Sequence, residues 1–144
     1  MAELWSNTLL RASLAAWIMA QLIKFAVVLL FKRRLDLARL VGSGGMPSSH
    51  TAFVSALAIG TGRVLGFGSP FFAMAFVFAS IVVHDATGVR RAVGQQAEIL
   101  NKILDDLYRG SGIRPERLRE LLGHTALEAL AGAALGAATA VVLT

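Results

Sequence analysis

The chain has 144 residues, 56% of them hydrophobic, and a mean hydropathy of +0.65, which excludes an ordinary soluble domain and points to one integral membrane domain over residues 1–144. Fourteen Lys and Arg against nine Asp and Glu give a formal charge of +5, which in a membrane protein suits anionic lipid or a phosphorylated substrate rather than nucleic acid. The chain has no cysteine, so disulfides and thiolate metal sites are excluded.

The first apolar segment, residues 8–31, is interrupted only by Arg11, Gln21 and Lys24 and ends in Lys32-Arg33-Arg34. Roughly 20 apolar residues suffice to cross a bilayer, and no basic region or small-residue cleavage pattern marks this one as a signal peptide; a retained span is expected. Gly42-Ser43-Gly44-Gly45 then leads into Met46-Pro47-Ser48-Ser49-His50 and the apolar run 51–62. This predicts a second helix that starts at Ser48 or Ser49 and fades near Arg63, short for a span. Ser69-Pro70 opens a third, since serine caps and proline is tolerated in the first turn; its apolar run 71–83 ends at His84-Asp85. Residues 89–109 place Leu100, Ile103, Leu104 and Leu107 against Gln96, Glu98, Asn101, Lys102, Asp105 and Asp106. That spacing predicts a one-sided helix lying on the membrane surface or packed on the bundle. A turn at residues 111–115 and a short helix at 116–122 precede the last span, 125–144, where Gly132 and Gly136 suit close helix packing. The expected fold is an all-α integral membrane bundle of three to four transmembrane helices plus an amphipathic surface helix.

If the spans alternate in direction, the Ser48–His50 helix start, the His84-Asp85 helix end, the His124 helix start and the Lys32-Arg33-Arg34 end share one membrane face. Eleven of the 14 basic residues fall there: Lys32, Arg33, Arg34, Arg39, Arg90, Arg91, Lys102, Arg109, Arg114, Arg117 and Arg119. Positive charge favours the cytoplasmic side, so the active face is expected there. A helix start presents unpaired N–H groups and a partial positive charge, which makes the Ser48-Ser49-His50 entry a place for an anion. His124 and Glu128 are one helical turn apart and share a face, so the carboxylate can fix the imidazole tautomer. Asp85, near Arg90 and Arg91, fits an ion pair and substrate binding equally. Lys24 lies about 12 Å below Lys32 by the helical rise, placed either to snorkel or to meet a phosphate. His84 reads as interfacial. No metal-ligand spacing stands out, and no metal or cofactor is expected.

Lys24, Arg33-Arg34, Pro47-Ser48-Ser49-His50, Gly123-His124, Glu128 and Ala131-Gly132 together resemble the three-part signature of type 2 phosphatidic acid phosphatases, relatives of bacterial acid phosphatases and vanadium haloperoxidases. The resemblance is nearer to the divergent branch of that superfamily. It is carried by Gly44-Gly45-Met46-Pro47-Ser48-Ser49-His50, Asp85-Ala86-Thr87-Gly88-Val89-Arg90 and Leu121-Leu122-Gly123-His124-Thr125, and covers nearly the whole chain. It implies His124 as the nucleophile on phosphorus, Glu128 as its orienting partner and His50 as general acid. Lys24, Arg34, Ser48, Ser49 and Arg90 would hold phosphate oxygens, with Asp85 and Arg33 supporting them. The sequence departs from the superfamily pattern in four places. Ser49 replaces a glycine, Glu128 an aspartate, and Phe31 an arginine, while Leu118 stands where the arginine before the nucleophile belongs. Arg117, Arg119 and Arg90 are the alternatives for that last arginine.

The resemblance implies a metal-independent phosphatase, hydrolysing a membrane-associated phosphomonoester or pyrophosphate through a phosphohistidine. The alternative is a non-catalytic membrane protein that binds anionic lipid or a phosphorylated ligand in the same pocket. The partner in either case is a membrane lipid or lipid phosphate. The small number of spans leads to the expectation of a homodimer, with the Gly132 and Gly136 face as one contact.

Overall fold

A computed structural model describes residues 5–32, 45–109 and 123–144. They form five helices: α1 (Thr8–Lys32), α2 (Ser49–Leu65), α3 (Pro70–Thr87), α4 (Val89–Leu107) and α5 (Ala126–Leu143). Four of the five starts carry a local side-chain signal; that of α4, after Gly88, has no side-chain cap. Asn7 Oδ1 accepts from the Leu10 amide at 3.0 Å, Ser48 Oγ from the Thr51 amide at 3.3 Å, and Ser69 Oγ from the Phe72 amide at 3.2 Å, with Pro70 opening α3. Such side-chain acceptors replace partners that the first turn lacks. α2 ends at Gly66, whose φ of +90° belongs to the left-handed side of the backbone map that glycine enters without strain.

α2 forms the centre of the bundle, packed against α1, α3 and α5. The contacts are made by small side chains. Ala16 and Ala20 of α1, Ala52 and Ala56 of α2 and Ala140 of α5 form one buried cluster, and Val54 and Ala58 of α2 meet Ala79 of α3 in another. In lipid the hydrophobic effect does not drive helices together, so close backbone approach and dispersion hold them, which small residues permit. The closest approach is that of α5 to α2. A Cβ on Gly132 would collide with the Ser48 carbonyl, and one on Gly136 with the Ala52 carbonyl. The glycine face expected to join two chains therefore packs within one chain.

Cross-helix bonds fix the directions. α2 and α5 run parallel, tied at one end by Ser48 N–H to the Glu128 carbonyl (3.0 Å) and at the other by Arg63 Nε–H to Thr144 Oγ1 (3.1 Å). α1 is antiparallel to both, with Lys24 beside Ser49 and Leu9 beside Gly60. The end of α3 meets the start of α5, where the His124 amide donates to the Ala86 carbonyl at 3.0 Å.

Among the described residues three runs, Thr8–Leu30, Pro70–Leu107 and Ala126–Leu143, are long and apolar enough to cross a membrane. Their outward faces carry side chains such as Leu22, Leu30, Phe71, Met74, Ile81 and Leu130, all exposed, an apolar surface suited to lipid rather than water. α2, with 17 residues, spans about 26 Å and is shielded by the other three. α4 exposes Val89, Val93, Leu100, Ile103 and Leu107, as a surface helix would, but it buries Gly94, Ala97 and Asn101. Asn101, read from the sequence as part of the polar face, belongs instead to that small-residue stripe, because positions 94, 97 and 101 recur at helical spacing. The expected turn at 111–115 and helix at 116–122 lie outside the described residues.

Candidate active site

The start of α5 is built by Thr125 and Glu128. Thr125 Oγ1 accepts from the Glu128 amide at 3.3 Å, and Glu128 Oε2 accepts from the Thr125 amide at 3.0 Å, a reciprocal capping box. The same carboxylate oxygen lies 3.2 Å from His124 Nδ1. Glu128 is thus held by the helix start and in turn holds the imidazole. A carboxylate only accepts, so the proton of a neutral ring sits on Nδ1 and the lone pair on Nε2. His124 is 4% exposed, and its Nε2 is buried with no hydrogen-bond partner among the described residues. A buried polar atom in that state is costly in a folded protein. Phosphorus chemistry needs a nitrogen of this kind, with a free lone pair and a fixed direction.

The start of α2 faces it. Gly45, with φ +84°, turns the chain into Pro47 and Ser48, both buried. Ser48 Oγ accepts from the Thr51 amide and, at 2.9 Å, from the Thr51 hydroxyl, which leaves its own hydroxyl proton to donate elsewhere. The Ser48 amide is committed to Glu128, so the donors that the start of α2 can offer an anion are the next amides, Ser49 and His50, which lack intrahelical acceptors. Ser49 is buried, and its Oγ accepts from Lys24 Nζ at 3.0 Å. Lys24 is itself 4% exposed; it does not snorkel to the end of α1 but turns into the bundle, within range of the Glu128 charge.

His50 is exposed at the rim, within interaction range of the charges of Arg90, Lys24, His124 and Asp85. Asp85 and Arg90 form an ion pair of 2.6 Å beside it. The structure therefore gathers Lys24, Ser48, Ser49, His50, Asp85, Arg90, His124 and Glu128 at one end of the bundle. Arg33 and Arg34 lie outside the described residues, as do Arg117, Leu118 and Arg119. Among the described residues no group of three or more His, Asp or Glu side chains is placed to hold a metal ion. Two features of the site went unread in the sequence although a signal was present. The Thr-x-x-Glu spacing of residues 125–128 announces a capping box, and the hydroxyl at Ser49, where a glycine is usual, is the acceptor that lets Lys24 be buried.

The sequence model of the Divergent PAP2 family matches residues 5–139. The chain belongs to that family. It is 40% identical to an uncharacterized membrane protein, YuiD, of Bacillus subtilis (strain 168), over 98% of this chain and 96% of that protein. No solved structure matches it. Family, relative and three apolar spans agree that this is an integral membrane protein of the divergent PAP2 type.

Proposed function

We propose that this divergent PAP2 protein is a metal-independent phosphatase acting on a membrane-associated phosphomonoester or pyrophosphate. The observation that carries the reading is the state of His124: Nδ1 against Glu128, Nε2 buried and without a partner among the described residues. Nε2 attacks phosphorus, the bond from phosphorus to the leaving oxygen breaks, and His50 gives its proton to that oxygen. Water then attacks the phosphohistidine, His50 takes a proton from the water, and the N–P bond breaks to release phosphate. Glu128 stabilises the His124 ring as its charge rises. Lys24, the Ser48 hydroxyl and the Ser49 and His50 amides offset charge on the transferring phosphoryl group, a preorganised electrostatic role that is usually a large contribution to catalysis. The basic ends on this face argue for a cytoplasmic orientation.

The test is phosphate release by the purified protein from a panel of lipid phosphates and polyprenyl pyrophosphates. His124→Ala and His50→Ala should each abolish release without a change in thermal unfolding, and Glu128→Gln should slow it. Vanadate, a mimic of trigonal-bipyramidal phosphorus, should inhibit, and chelators should not. Unchanged hydrolysis by His124→Ala would remove the nucleophile from this scheme. Binding of phosphate or anionic lipid without turnover of any substrate would favour the non-catalytic binder.

A further inference from the structure

Asp85 and Arg90 are five positions apart, which in a continuous helix would set them about 140° apart around the axis. They meet because the chain bends between them. Gly88 has φ −103° and ψ −83°, away from helical values, yet its amide still donates to the His84 carbonyl at 2.8 Å and its carbonyl accepts from the Ala92 amide at 3.0 Å. α3 and α4 are therefore one hydrogen-bonded run with a turn in it, and the turn brings Arg90 Nε to 2.6 Å from Asp85 Oδ2. Pairing through Nε fixes the plane of the guanidinium and leaves both terminal nitrogens outside the pair.

This junction is clamped to the His124 segment. The Ala86 carbonyl, next to Asp85, accepts from the His124 amide at 3.0 Å. Gly123 lies so close to the backbone of Arg90 and Arg91 that a Cβ there would collide with it. The charges of both Asp85 and Arg90 reach His50. Stability alone gives little reason for the pair, since its side chains are 39% and 56% exposed and exposed ion pairs contribute little.

We propose that Arg90 is an anion-contacting arginine of this site, delivered by the α3–α4 junction, and that Asp85 is the residue that positions it. The proposal rests on the reading that this end of the bundle binds a phosphoryl group. It assigns the role of the arginine missing at Leu118 to a side chain on another helix, and it gives Gly123 a reason: only a residue without Cβ lets the junction approach His124 so closely.

The experiment is binding of inorganic phosphate and orthovanadate to the purified full chain, measured by titration calorimetry and independent of turnover. Arg90→Gln should weaken binding by about 10- to 100-fold, the range of a lost charge-assisted hydrogen bond, and Asp85→Asn by about 3- to 10-fold, both with unaltered thermal unfolding. Arg91→Gln removes the same charge one residue away and should leave binding unchanged. The exchanged pair, Asp85→Arg with Arg90→Asp, restores the ion pair but reverses its direction and should not recover binding. Undiminished binding by Arg90→Gln, equal loss with Arg91→Gln, or recovery in the exchanged pair overturns the proposal and leaves hydrolysis at His124 standing. The expected binding pattern in a protein that hydrolyses nothing upholds it and overturns the phosphatase reading instead.

Discussion

The amide of Ser48 donates to the carbonyl of Glu128 at 3.0 Å, so the residue after Pro47 and the residue that orients His124 are joined through their backbones. The two halves of the candidate site, 80 residues apart in sequence, are held in register by one bond and by the close approach of Gly132 to Ser48.

Gly132→Val and Gly136→Val should therefore behave differently. Both force α5 away from α2, and overpacking of this kind costs about 1–3 kcal/mol; thermal unfolding in detergent should show a similar loss for each. Gly132 abuts Ser48 and Gly136 abuts Ala52, one turn further from the chemistry. Phosphate release per folded molecule should fall more in the Gly132 variant. An equal effect on turnover would mean that the Ser48–Glu128 register does not matter.

Ser49→Ala removes the acceptor of the buried Lys24 ammonium. Leaving a buried donor unsatisfied costs about 1–3 kcal/mol, so the unliganded protein should unfold at lower temperature. In the proposed site vanadate would supply oxygens to the same ammonium. The rise in unfolding temperature on adding vanadate should consequently be larger for Ser49→Ala than for the unaltered chain, and an equal rise would show that Lys24 does not reach the anion.

Glu128→Asp tests whether the aspartate usual in the superfamily works in this setting. One methylene less draws the carboxylate back from both the Thr125 amide and His124 Nδ1, which share Oε2 at 3.0 and 3.2 Å. Turnover should drop by about 10-fold or more, since a misplaced nucleophile costs up to about 10²-fold, while the cap loss costs about 1 kcal/mol. Full activity with aspartate would show that the capping box and the catalytic role are independent.

Orientation is open to direct labelling, since the chain has no cysteine. Gly68 lies in the α2–α3 turn, at the far end of the bundle, with nothing within 4 Å of an added Cβ, and Gln96 is exposed on α4, whose start lies against Gly123 beside the site. In intact cells a membrane-impermeant maleimide should react with Gly68→Cys and not with Gln96→Cys. The reverse pattern places the site outside the cytoplasm.

The helices and their starts were legible residue by residue. Ser48, Ser69-Pro70 and Thr125 mark their own helices because capping is a local interaction, and the apolar runs between them are long enough to need a bilayer. The alternation of spans also placed His50, Asp85 and His124 at one end, a consequence of connectivity alone. The direction of side chains was not legible in this way. For Lys24 the sequence left snorkelling and an inward phosphate contact open, and the structure turns it inward to Ser49; Asn101 is buried, and Gly132 packs against Ser48 of its own chain. Sequence spacing assigns a residue to a position along a helix, but helix rotation is set by which neighbours its small residues let approach. The Asp85–Arg90 pair likewise depends on the bend at Gly88. Chain order and composition thus establish a basic, histidine-bearing end of a membrane bundle. Backbone contacts between distant helices then bring the Met46–His50 entry and the His124 helix start to one place, because a backbone hydrogen bond between residues 80 apart has no signature within either segment, and the Gly132 and Gly136 spacing announces close packing without naming the helix it packs on.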